Sequence, residues 1–289
     1  MLSLDHIKNF FPLNIQENPA YRKYMLKEYI QLMILDYLST TSHIRKINFI
    51  GGTCLRLVKG IDRFSEDIDF DCKKMLNHEF TEMTDSILQF LLNSGMKIEI
   101  QDKPKDKLTA FRRSYYFPRL LFDLGLSGHK EERFMIKVEC QDQEIEYQHK
   151  MVNIKGCGLF FPFPVPGDDV LCAMKISALL SRQKGRDFYD VMFLLAQSQP
   201  SFTFLTKSAG IKDPAELMTS MKDLLNRIDL KHKAKDFEHL LFNKEYSRRI
   251  LAFGEFMKEM AEVEENTDGG IKQIKATVIH RPKSPPWGI

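Results

Sequence analysis

Apolar residues recur at helical spacing between positions 21 and 38. Leu26, Tyr29, Ile30, Met33 and Tyr37 share one side, which predicts a helix there. The period then changes. Ile47 to Ile50 is a short β-type run that stops at Gly51-Gly52; Thr53 to Val58 reads as a brief helix, and Gly60 as a turn. Residues 67 to 72, DIDFDC, read as a second strand. Glu79 to Leu92 reads as a helix closed by Gly95, and Lys97 to Ile100 as a strand. Further strands are expected at Ser114 to Phe117, Leu120 to Leu124 and Phe134 to Cys140, with β-rich sequence continuing to Phe163. The stretch FPFPVPGDD, Phe161 to Asp169, reads as a linker, because its prolines and glycine break regular structure. Helices are expected after it. One is capped by Asp169 and runs to about Arg182; Gly185 ends that turn; the next is capped by Asp187 and runs to about Ala196. Two longer helices are expected near 214–227 and 237–262, and 264–289 reads as a loose, Pro-rich tail. The order predicts an α/β fold: a mixed β-sheet flanked by helices over residues 1–165, then a helical domain over 166–263.

Composition narrows the classes. A chain of 289 residues that is 43% hydrophobic and 28% charged is an ordinary globular protein with a real core. A net charge of +3 neither requires nor opposes contact with nucleotide or RNA. No apolar run approaches the roughly 18 residues of a membrane span, so no membrane association is expected. The N-terminus carries Asp5 and no signal-peptide core, which points to the cytoplasm. Five cysteines, an odd number without a CxxC pair, read as reduced thiols and not as a zinc site. No HExxH spacing, Walker A loop or protein-kinase motif set is present.

The chemistry concentrates in GGT, thirteen further residues, and then Asp67-Ile68-Asp69. Gly51 and Gly52 let the backbone turn sharply and approach a phosphate. Thr53 opens a short helix whose N–H groups and hydroxyl would face a triphosphate. On a strand, residues i and i+2 share a face about 6.6 Å apart. Two bare carboxylates at that distance repel by roughly 2.5 kcal/mol at an effective dielectric near 20. A divalent cation removes that repulsion, and two such ions can clamp the attacking and leaving oxygens of a phosphoryl displacement. Magnesium suits one or two carboxylates plus phosphate oxygens. Asp71, one step further along that face, is an outer partner on this reading. A DxD alone reads first as the acidic edge of a solvated strand. The glycine pair before it, and Arg63-Phe64-Ser65-Glu66 immediately ahead, change that balance.

GGTCLRLVKGIDRFSEDIDFD resembles motif I of the AbiEii/AbiGii toxin family of nucleotidyltransferases, which share the fold of the DNA polymerase beta-like superfamily. VPGDDVLCAMKISALLSRQKGRDFYDVMFLL is similar to that family's later motifs, and the resemblance spans about residues 47 to 196. It implies a nucleotidyltransferase-type sheet, with the helical domain completing the active site. It implies Asp67 and Asp69 as metal ligands, Gly52 and Thr53 as phosphate binders, and Lys175 as a nucleotide-phosphate contact. Asp187 or Asp190 would be a further catalytic carboxylate. Gly51, Ser65 and Arg186 complete the expected nucleotide-binding set.

Other readings stay open beside these. Glu139 is the best third carboxylate from a neighbouring strand, sharing a face with Lys137; a cross-strand salt pair explains it as well. Lys175 can snorkel from its helix, and Asp187 has a sufficient reason in capping. Arg182, Lys184 and Arg186 can add positive charge near a triphosphate or serve only as solvated or paired side chains. Phe111, Tyr115, Tyr116 and Phe117 with Arg112, Arg113 and Arg119 read as a base-stacking surface or as a half-buried strand. The expected function is transfer of a nucleoside monophosphate from an NTP, with two Mg²⁺ ions as cofactor, to an acceptor hydroxyl such as a tRNA 3′ end. By resemblance the protein acts as the toxin of a toxin–antitoxin or abortive-infection pair, countered by an antitoxin protein or by its control of the promoter. The rivals are an adenylylating-type transferase acting on protein and a nucleotide-binding module without turnover.

Overall fold

The computed structural model describes residues 3–101 and 110–265, and for residues 261–265 the backbone alone. The expected tail lies outside the described residues from position 266 onward. The chain divides into two compact units, residues 1–167 and 168–289. Among the described residues no helix is long and apolar enough to cross a membrane.

The first unit opens with α1 (Leu4–Lys8), α2 (Leu13–Gln16), a 3₁₀ turn, and α3 (Arg22–Ser39). Then come β1 (Ile47–Ile50), α4 (Gly51–Lys59), β2 (Ile68–Cys72), α5 (Asn77–Asn93), β3 (Glu99–Ile100) and β4 (Phe111–Tyr116). The unit closes with α6 (Leu120–Asp123), β5 (Met135–Gln141), β6 (His149–Gly156) and β7 (Leu159–Pro166). Five strands form a mixed sheet in the order β1-β2-β5-β4-β3. Only β2 and β5 run parallel; the other neighbours are antiparallel. This is the expected α/β architecture with a mixed sheet.

Alternation on β2 sets the two faces. Ile68, Phe70 and Cys72 are buried, and Phe70 stacks on Phe163 with ring centroids 5.9 Å apart. Asp67, Asp69 and Asp71 take the opposite side by the period of two. On β5 the same alternation buries Ile136, Val138 and Cys140 and leaves Lys137 and Glu139 half-exposed.

Three expectations fail here, each for a local reason. Leu120–Leu124 is not a strand but the short helix α6. Arg119 takes a left-handed φ of 58° after Pro118 and Gly125 one of 68°, so the chain turns at both ends of that apolar run. Short apolar runs fit strand and helix alike. The expected linker is largely strand β7, paired along its length with β6. Pro162, Pro164 and Pro166 fall two apart, so their missing N–H groups lie on one edge, and a two-stranded sheet leaves one edge of β7 unpaired. Thr53 is not the first residue of its helix, which starts at Gly51.

The second unit is helical: α7 (Asp168–Arg182), α8 (Gly185–Leu195), α9 (Phe202–Ala209), α10 (Pro214–Leu225), α11 (Leu230–Lys235) and α12 (Phe253–Glu265). The helix expected over 237–262 is not continuous. Glu238–Leu240 and Lys244–Ala252 are 3₁₀, the second started by the Asn243 side chain accepting from Glu245 N–H at 3.0 Å. Gly185 does not end a turn; it begins α8, with the Lys233 carbonyl lying where a side chain would stand. Asp187 sits in the first turn of α8 and Asp169 in that of α7, so neither is the residue before its helix.

Candidate active site

The β1–α4 junction and β2 bring the motif together. Gly51 holds a left-handed φ of 79°, and the Asp69 carboxylate occupies the space where its Cβ would point. The acid of β2 therefore lies directly over the glycine turn, which no other residue type at position 51 permits. Gly52 faces Ser65 and Arg63: an added Cβ would stand 2.6 Å from the Ser65 hydroxyl and 2.9 Å from a guanidinium nitrogen of Arg63. Ser65 is thus at the turn and largely buried.

Thr53 departs from expectation. Its side chain is buried, and its hydroxyl donates to the Asp67 backbone carbonyl. That bond ties α4 to the entry of β2, so the hydroxyl faces inward and the backbone alone is left to meet a phosphate.

Asp67 sits among charges. Lys137 on β5 places its ammonium 3.7 Å from the carboxylate, and Lys27 of α3 reaches the neighbouring Glu66 at 3.5 Å. Burial raises the Asp67 carboxyl above its usual range, Lys137 pulls it back, Glu139 raises it further and Lys27 lowers it. Burial depresses the Lys27 ammonium, and Glu66 and Asp67 oppose that shift.

Glu139 stands opposite Asp69 across the parallel β2–β5 pair. Its charge acts on Asp67, whose carboxyl it raises. Arg112, its direct partner on β4, holds it through two contacts, Nε at 2.8 Å and Nη2 at 2.9 Å. Among the described residues no group of three or more His, Cys, Asp or Glu is assembled to hold a metal. Asp71 has partners of its own. Tyr147 Oη donates to one of its oxygens and the Gln143 N–H to the other at 2.9 Å, so it anchors the segment after β5.

Within the second unit, every expected site acid has a partner of its own. The Lys175 ammonium lies 2.8 Å from Asp190, both buried, so the lysine does not snorkel to solvent. Arg182 grips Asp187 at 2.9 and 2.7 Å, and Asp187 also accepts from the Lys184 N–H at 3.3 Å. Arg186 is half-buried, and its Nε lacks a hydrogen-bond partner. The aromatic–basic strand is half-buried: Tyr115 and Phe117 point into the core and Phe111 stacks on Phe80 at 5.3 Å.

Sequence reasoning missed Arg63 and Lys27 as parts of the site. Arg63 had a signal, since it stands in the segment before the acids. Lys27 had none, being forty residues upstream of Asp67 on a different helix.

A glycine turn capped by a strand carboxylate, on a mixed five-stranded sheet, defines a protein of the nucleotidyltransferase class. The fold is shared with MenT4, a nucleotidyltransferase toxin from Mycobacterium tuberculosis, at TM-score 0.60, 15% identity, and coverage of 92% of this chain and 93% of that one. It is also shared with JHP933 from Helicobacter pylori, at TM-score 0.50, 19% identity, and coverage of 85% and 94%. No curated protein sequence matches the chain. The family model for the nucleotidyl transferase AbiEii toxin of type IV toxin–antitoxin systems matches residues 34–260. The chain belongs to that family. It is a nucleotidyltransferase toxin, and its membership implies a nucleoside triphosphate substrate and an antitoxin partner. The match extends past both ends of the segment whose motifs are legible by eye.

Proposed function

We propose that this chain moves a nucleoside monophosphate from an NTP to an acceptor hydroxyl on RNA, with a tRNA 3′ end as the acceptor the family resemblance favours. The observation that carries the reading is the Asp69 carboxylate seated over Gly51, which brings an acid to the glycine turn where α4 begins. The backbone N–H groups of Gly52 and Thr53 would receive the polyphosphate at the start of α4.

Asp67 and Asp69 are the residues that would hold magnesium, and the donor set fits: two carboxylates to be completed by phosphate oxygens. When bound, magnesium supplies Lewis-acid stabilisation of the charge that develops on the phosphoryl oxygens. Lys137 and Lys27 balance Asp67 and keep the acid pair tolerable before substrate arrives. In the reaction the acceptor oxygen bonds to the α-phosphorus, the α–β bridging bond breaks, and pyrophosphate leaves with that electron pair. The hydroxyl proton passes to a carboxylate or to water.

The test supplies each of the four triphosphates, labelled at the α-phosphate, with magnesium and total tRNA. Label in RNA is expected from at least one of them. Label confined to protein would support the adenylylating rival, and tight nucleotide binding without any transfer would support a silent module.

A further inference from the structure

We propose that Arg63 is a positioning residue for the triphosphate: its buried guanidinium holds the Gly51–Gly52 turn in the form that receives phosphate. The inference rests on the nucleotidyl-transfer reading and names how this chain prepares that site. Arg63 is 1% exposed and ranks among the largest fully buried side chains of the protein. A guanidinium stays protonated at any working pH, and burying one is unfavourable unless its surroundings are arranged for it. Here they are. Nη1 donates to the Phe64 carbonyl at 2.9 Å, and two guanidinium nitrogens lie 2.9 and 3.3 Å from where a Cβ on Gly52 would be.

The glycine is therefore needed for Arg63 as much as for phosphate. The turn's second residue has no side chain because the Ser65 hydroxyl and the Arg63 guanidinium together fill that space. The segment carrying Arg63 is fixed from its other side too, where buried Gln31 of α3 donates to the Ser65 carbonyl at 3.3 Å. The arrangement backs the first turn of α4 with a permanent positive charge and a rigid planar group. The N–H groups of that turn and the charge behind them act on an anion in the same sense. Lysine in its place keeps the charge but loses the planar fork; glutamine keeps polarity and loses both.

The experiment uses the full chain with Arg63→Lys, Arg63→Gln and Gly52→Ala, each checked for a cooperative melt. Equilibrium binding of ATP, CTP, GTP and UTP with magnesium is measured beside the KM for triphosphate and for RNA. Both Arg63 variants are expected to weaken triphosphate binding and raise its KM by about ten- to a hundredfold, with the KM for RNA moved by no more than about twofold. Wild-type triphosphate affinity and KM in folded Arg63 variants would overturn the proposal, as would a fall in kcat and melting temperature alone. If the Arg63 variants do not fold, Gly52→Ala decides: a raised triphosphate KM is expected, and an unchanged one overturns it. A wild-type chain that bound none of the four triphosphates would overturn the nucleotidyl-transfer reading itself, and this proposal with it.

Discussion

Gly51 is the residue at which fold and chemistry constrain one another most tightly. Its φ of 79° is strained for any side chain, and the Asp69 carboxylate fills the space a Cβ needs. Gly51→Ala is expected to cost about 1–3 kcal/mol of stability and to displace Asp69, so that transfer falls more than folding does. Denaturant unfolding beside a transfer assay separates the two losses. Asp67 carries a pH signature. Its carboxyl is raised from its ordinary value of 3.8, chiefly by burial, so the folded chain keeps that proton to higher pH than the unfolded chain. Its contribution to stability is full below 3.8 and declines as pH rises through the raised value. At neutral pH without nucleotide, Asp67→Asn should therefore melt higher than wild type, with the gap closing in acid; melts across that range read the effect. The acids and glycines were legible because i, i+2 spacing on a strand and a glycine pair after one are local patterns. The partners were not: Thr53 turns inward to the Asp67 carbonyl, Glu139 is taken by Arg112, and Lys27 arrives from α3, all through tertiary contacts.

Two ion pairs join α7 to α8, Lys175–Asp190 and Arg182–Asp187, and in the first both side chains are buried. Lys175 and Asp190 are 2.8 Å apart, and Asp190 has no exposed side-chain surface. Removing one partner of such a pair leaves a buried charge, so Lys175→Ala is expected to cost about 3–5 kcal/mol, whereas an apolar replacement of both, Lys175→Met with Asp190→Leu, should recover most of that. Chemical denaturation of the single and double variants reads the difference, and a mild Lys175→Ala would contradict the role assigned to the pair. Helices with clear periodicity, α3, α5, α7, α8 and α10, were legible within a few residues. β7 was not, because prolines at every second position read as punctuation although an unpaired strand edge accommodates them. Nor was the broken course from Glu238 to Ala252, where a side-chain cap at Asn243 wins over an apolar pattern that would suit one helix.

At the scale of the molecule, the mixed sheet followed by helices was readable from the order of elements, and the family from two motifs in sequence. The acceptor was not, since its recognition depends on surface shape and no local pattern encodes it. If a tRNA 3′ end is the acceptor, oxidising its terminal diol with periodate before the reaction should abolish labelling, while protein labelling would be untouched by that treatment. The most direct measurement of the central claim is transfer of α-phosphate label to RNA by wild type and by Asp69→Asn, with folding of both verified by melting. The account predicts a loss of about a thousandfold or more in the variant, the scale of several kcal/mol of lost transition-state stabilisation. A folded Asp69→Asn that labels RNA at the wild-type rate would contradict it.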